Sequence, residues 1–124
     1  MRALVVDDSR ATRLILQKIL AEVGIAETYE AADGLEALDV IACTGDLDFV
    51  LIDWNMPNMN GHELVVALRA RPELAHVKLM MVTAESELDK VVSAIEAGAD
   101  EYLMKPFDAE AVAAKLALLG LDRS

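Results

Sequence analysis

The sequence predicts an α/β fold in which helices cover both faces of a five-stranded parallel sheet. Three observations lead there. Short apolar runs alternate with segments of helical periodicity five times along the chain, capping residues open the helical segments, and glycine or proline closes most units. Two of the apolar runs also end in carboxylates, at Asp7-Asp8 and at Asp53.

The first predicted strand covers residues 3–6, Ala-Leu-Val-Val, and leads into a helix over 12–23. There Ile15, Leu16, Ile19, Leu20 and Val23 recur at helical spacing until Gly24 stops them. Residues 28–31 form a weak second strand. Asp33-Gly34-Leu35-Glu36 reads as a capping box, opening a helix that carries Leu35, Leu38 and Ile41 to Gly45. The third strand is 49–53, followed by the loop 54–59, a second capping box from Asn60 to Glu63 and a helix to about Arg69, with Pro72 beyond it. Residues 77–83 make the fourth strand. A fourth helix begins at Ser86 and ends at Gly98, residues 101–104 make a short fifth strand, and Asp108 caps a last helix over 109–119. Strands alternating with helices imply right-handed crossovers and a sheet buried on both sides.

A length of 124 residues suits one domain, with no linker, repeat or low-complexity tract. Hydrophobic residues make up 55% but are scattered, and none of their runs approaches the ~20 residues a membrane span requires. No basic segment followed by an apolar stretch marks the amino terminus, so the expected location is the cytoplasm. The single cysteine, Cys43, allows no internal disulfide and reads as a small helix residue. A formal net charge of −11 opposes binding to nucleic acid or anionic lipid and favours basic segments of protein partners.

In an open parallel sheet, ligands bind outside the carboxyl ends of the strands, which is where Asp7, Asp8 and Asp53 fall. Clustered carboxylates repel one another unless a cation compensates them. Magnesium, held by one or two carboxylates together with a phosphate, suits this set. Taken alone, Asp7-Asp8 reads equally well as a helix cap and Asp53 as a turn residue. Thr83 ends the fourth strand and Lys105 follows the fifth, so a hydroxyl and an ammonium come to the same edge. Phosphoryl transfer asks a protein mainly to position reactants and neutralise oxygens, and an aspartate can serve as the acceptor. Asp53 is the expected acceptor.

These residues, with their neighbours, are Val5-Val6-Asp7-Asp8-Ser9, Asp53-Trp54-Asn55-Met56-Pro57-Asn58-Met59-Asn60-Gly61, Val82-Thr83-Ala84-Glu85, Ala97-Gly98-Ala99 and Lys105-Pro106-Phe107. In this order and spacing the chain resembles the receiver domain of bacterial two-component response regulators, most closely the single-domain chemotaxis members, over nearly its whole length. The resemblance implies a doubly wound, flavodoxin-like receiver fold of strand order 2-1-3-4-5, without an effector domain. It implies that a histidine kinase phosphorylates Asp53 and that Asp8, Asp53 and the Asn55 carbonyl ligate Mg2+, with Asp7 acting through a metal-bound water. It further implies that Lys105 pairs with Asp53 and then with the phosphoryl group, that the Lys105-Pro106 bond is cis, and that Thr83 and Tyr102 move together as a switch. Asn55, Glu85 and Ala84 would flank the phosphoryl group and set its lifetime. Trp54 is read as a loop aromatic and optical probe.

Leu88, Val91, Val92 and Ile95 make an apolar stripe too broad for one covered helix face. The resemblance turns Val92 inward and places Leu88, Val91 and Ile95, with Tyr102 and Lys115, on a face read by a downstream protein. Ala113, Ala114, Ala117 and Leu118 leave the last helix poor in outward charge, unlike the more charged surface of flagellar-motor regulators. A monomer is expected, with a phosphorylation-linked dimer as the alternative. His62 and His76 have no second histidine at ligand spacing and are assigned no chemistry.

Two other functions fit less well. A haloacid dehalogenase-type phosphatase carries a second aspartate two residues after its nucleophile, where this chain has Asn55, and would turn over phosphomonoesters. A receiver-shaped adaptor would bind its partner equally with and without an acyl-phosphate mimic.

Overall fold

The computed structural model describes residues 1–121 and their side chains, apart from the side chain of Glu85. The elements are β1 (Arg2–Val6), α1 (Arg10–Glu22), β2 (Glu27–Ala31), α2 (Gly34–Thr44), β3 (Phe49–Asp53), α3 (Gly61–Arg69), β4 (Lys78–Thr83), α4 (Leu88–Ala97), β5 (Glu101–Met104) and α5 (Ala109–Leu118). All strand pairs are parallel, in the order β2-β1-β3-β4-β5.

Successive strand residues point to opposite faces, and the core divides accordingly. Leu4, Val6, Val50, Ile52, Leu79 and Met81 pack with Leu64, Leu68 and Ala94 on the side of α2, α3 and α4. Ala3, Val5, Phe49, Leu51, Met80 and Val82 pack with Leu16, Leu20, Val112 and Leu116 on the side of α1 and α5. The central strands are therefore apolar on both faces, with polar residues only at their ends, Arg2, Asp53, Lys78 and Thr83. The chain leaves β1 toward one face through α1 and leaves β2 toward the other through α2, so the strand order reverses beside β1 and β3. A crevice opens there at their carboxyl ends.

Helix starts differ from the sequence reading where polar residues open the first turn. α1 begins at Arg10, because the Ser9 hydroxyl caps it by accepting from the Thr12 N–H at 3.3 Å. The capping box at Asn60 and Glu63 is complete in both directions. At Asp33 one carboxylate oxygen accepts from the Glu36 N–H at 2.8 Å while the other accepts from Asn58 Nδ2 at 2.7 Å, which ties α2 to the loop after β3. α4 begins at Leu88 rather than Ser86, since Glu85–Glu87 form a turn of 3-10 helix first.

At the sheet edge opposite the crevice, one guanidinium gathers several chain ends. Arg69 donates to the carbonyls of Gly98 (2.9 Å), Leu74 (3.1 Å) and Val77 (2.8 Å) and to Asp100 Oδ2 (2.7 Å), which also accepts from the Leu79 N–H at 2.9 Å. Replacing it would strand a partly buried carboxylate and several carbonyls. Arg69→Ala is expected to cost roughly 2 kcal/mol in urea unfolding while leaving chemistry at the far edge intact. An unchanged unfolding midpoint would show the cluster to be ornamental.

Candidate functional site

The register of β1 and β3 puts Val6 beside Ile52, so the next residues, Asp7-Asp8 and Asp53, emerge together at the crevice. One carboxylate oxygen from each lies within 4.8 Å of the others. Asp7 and Asp53 are buried, at 2% and 7% exposure, and Asp8 is open to solvent. Asp7 Oδ1 accepts from the Ser9 N–H at 2.8 Å, whereas its buried Oδ2 has no hydrogen-bond partner among the described residues. An orphaned buried carboxylate oxygen facing two more carboxylates is a donor set that fits a hard divalent cation.

The charge balance without such a cation is unfavourable. Burial, reinforced by the Asp7 carboxylate and opposed by Lys105, pushes the Asp53 carboxyl up to about 6. Burial likewise raises Asp7, against the lowering effect of the Ser9 N–H. Lys105 Nζ stands 3.3 Å from Asp53 Oδ1. Its backbone N–H extends the β4–β5 ladder by donating to the Thr83 carbonyl at 2.8 Å, and the Lys105-Pro106 bond is cis. Thr83 is buried, and its hydroxyl donates to the Ala84 carbonyl at 3.3 Å rather than to an acid.

The loop after β3 folds back tightly over the strand end. Gly61 donates its N–H to the Trp54 carbonyl at 3.0 Å, and a Cβ on it would lie 2.6 Å from the Asp53 carbonyl oxygen, so no larger residue fits. This close return presents Asn55 at the rim. Asn55 Nδ2 donates to Glu87 Oε2 at 2.5 Å, and Glu87 Oε1 accepts from the Ala84 N–H at 3.3 Å. Trp54 is half-buried, with the Lys90 ammonium 5.8 Å from its ring and His62 stacked obliquely at 5.9 Å. Asp8, Trp54, Asn55 and Asn60 line an open depression at this edge.

The structure thus brings together Asp7, Asp8, Asp53 and Lys105, with Asn55, Thr83 and Ala84 around them. The expected role of Glu85 falls on a side chain outside the described residues. Glu87 was missed by sequence reasoning, because its partner Asn55 is 32 residues away and no local pattern announces the pairing.

On α4 one expectation is overturned. Val91 is buried at 7% exposure, as is Ala94 at 0%, whereas Val92 is 59% exposed, so the inward and outward assignments of these two residues are exchanged. Helical spacing groups Leu88, Val92 and Ile95 on the open face, about a quarter turn from the line of Val91, Ala94 and Gly98. Leu88 and Ile95 are exposed as expected. Tyr102 is half-buried, with the Lys115 ammonium 4.2 Å from its ring and 3.0 Å from Glu101 Oε1. Lys115 is therefore engaged within the molecule rather than standing free. His76 and Cys43 are exposed. Among the described residues no helix is long and apolar enough to cross a membrane.

Comparison with known proteins agrees with this geometry. Residues 3–117 match the model of the response regulator receiver domain. The chain is 42% identical to chemotaxis protein CheY-3 of Vibrio cholerae, across 94% of this chain and 88% of that protein. It is 40% identical to chemotaxis protein CheY of Pseudomonas aeruginosa, across 94% and 93%. Among solved structures, the chemotaxis response regulator CheY4 of Vibrio cholerae superposes with a TM-score of 0.85 at 34% identity, covering 95% of this chain and 97% of that one.

Proposed function

Since the chain belongs to the response regulator receiver domain family, we propose that it is a phosphorylation-dependent signalling switch whose acceptor is Asp53 and whose donor is a histidine kinase. The observation that carries this reading is the placement of Asp53, buried at a strand end between the Asp7-Asp8 pair and the Lys105 ammonium. An Asp53 oxygen attacks the phosphorus as the phosphorus–nitrogen bond of phosphohistidine breaks, leaving an acyl phosphate and a free imidazole. Lys105 meets the negative charge on the transferred group. Asp8, Asp53 and the Asn55 carbonyl would hold Mg2+, with Asp7 acting through water, and the ion would neutralise the phosphoryl oxygens.

Thr83 then turns its hydroxyl from the Ala84 carbonyl toward the phosphoryl group, and Tyr102 follows into the space vacated. Tyr102 leaves the Lys115 ammonium as it does so, which redraws the face formed by α4, β5 and α5. A population shift of this kind biases partner binding without a new fold. The matches to chemotaxis proteins along most of their own length support chemotaxis as the process, and a single receiver acting in the cytoplasm on a separate downstream protein as the mode of output.

Acetyl phosphate with magnesium is expected to add one phosphate to the wild type and none to Asp53→Asn, read by intact mass. Asp8→Ala should lose magnesium binding by calorimetric titration and slow the modification about 100-fold or more. An equal adduct on Asp53→Asn would remove the acceptor assignment.

A further inference from the structure

The Glu87 carboxylate lies across the rim where the phosphoryl group is expected. It accepts from Asn55 Nδ2 at 2.5 Å and from the Ala84 N–H at 3.3 Å, it is only 15% exposed, and Lys90 supports it at 3.6 Å. The Ala84 contact alone is what a third-position glutamate makes to the backbone of a helix start. The Asn55 contact is not. It joins the loop after β3 to the first residues before α4. Asn55 follows Asp53 by two residues and Ala84 follows Thr83 at the same edge of the sheet, and the resemblance to receiver domains places both beside a phosphoryl group on Asp53.

We infer that Glu87 is an internal anion that holds the Asn55 and Ala84 donors in the unmodified protein, so that phosphorylation must evict it and thereby release the first turn of α4. This rests on the acceptor role of Asp53 proposed above. A phosphoryl group brings negative charge and hydrogen-bond acceptors to the same two donors, and two anions cannot share them without repulsion. Glu87 immediately precedes Leu88, the first residue of α4. Its departure therefore frees a residue of the apolar output face, and it leaves Lys90 beside the Trp54 ring without its carboxylate partner. Glu87 is a positioning residue: it sets how readily the site accepts an anion and carries that event to α4.

The test is a beryllofluoride titration with magnesium, followed by Trp54 fluorescence, on wild type, Glu87→Gln and Glu87→Ala. Glutamine keeps an acceptor oxygen but removes the charge. Glu87→Gln should bind beryllofluoride about fivefold or more tightly than wild type, yet bind magnesium alone no more tightly; mere loosening of the loop would weaken both. Amide exchange over residues 86–91 should quicken in wild type on adding beryllofluoride and already be quick in Glu87→Ala without it. Equal beryllofluoride affinity in wild type and Glu87→Gln, or protection of 86–91 that does not change on saturation, would overturn the eviction while leaving the acceptor in place. Failure of wild type to bind beryllofluoride would instead overturn the Asp53 reading, and the eviction with it.

Discussion

In the presence of a chelator, the wild-type protein is expected to be more stable near pH 5 than near pH 7.5, and Asp53→Asn to abolish most of that difference. The sign follows from the proton count. With a folded-state pKa of about 6 against an unfolded value of 3.8, Asp53 binds more protons folded than unfolded between those limits, so stability falls as pH rises through the window. The whole interval corresponds to about 3 kcal/mol from below pH 3.8 to above about pH 7, of which about 1.4 kcal/mol is lost between pH 5 and pH 7.5. Asp7, raised in the same direction by burial, adds to the effect. Asn at 53 keeps the shape and removes the charge, and should lift the melting temperature at pH 7.5 by roughly 10 °C. Magnesium should restore much of the same stability to the wild type, because binding to the folded state alone contributes about 2.7 kcal/mol at a hundred times the dissociation constant. The net charge of −11 also favours lower pH. It does so almost equally in both proteins, so their difference isolates Asp53. Equal melting temperatures for the two proteins at pH 7.5 in chelator would contradict the repulsion argument.

The strain that this experiment measures was legible in the residues, because strand-end carboxylates need only the strand assignment to be placed together. Asp7, Asp8 and Asp53 followed from two apolar runs, and Thr83 and Lys105 from two more. The strand order and the cis bond before Pro106 came from resemblance, since alternation of strands and helices is compatible with several orders. What local reading lost were pairings set by the return of distant loops, such as Asn55 with Glu87, and choices among adjacent residues of one type. α4 shows the second kind. A stripe of Leu88, Val91, Val92 and Ile95 includes both faces of the helix. The inward one was marked by small residues, Ala94 and Gly98, where the helix approaches the sheet and Arg69 closely. Counting only large apolar side chains hid that mark.

The two valines should therefore behave oppositely when each is replaced by glutamate. Val91→Glu buries a carboxylate at a site only 7% exposed, and should cost at least about 3 kcal/mol or leave the chain unfolded. Val92→Glu points into solvent and should change stability by no more than about 0.5 kcal/mol. Its effect belongs to output. Leu88, Val92 and Ile95 are exposed one turn apart, and apolar area of this kind suits a partner interface. Where the partner segment is basic, the chain's net charge of −11 speeds its approach, so salt should slow association, while the apolar side chains set how long the complex lasts. Val92→Glu should accept phosphate from acetyl phosphate at the wild-type rate, yet fail to retain the proteins that beryllofluoride-loaded wild type captures from its native extract. Urea unfolding of both variants checks the placement first. If Val91→Glu folds with wild-type stability while Val92→Glu collapses, the face assigned to α4 is reversed and the output surface must be redrawn around Val91.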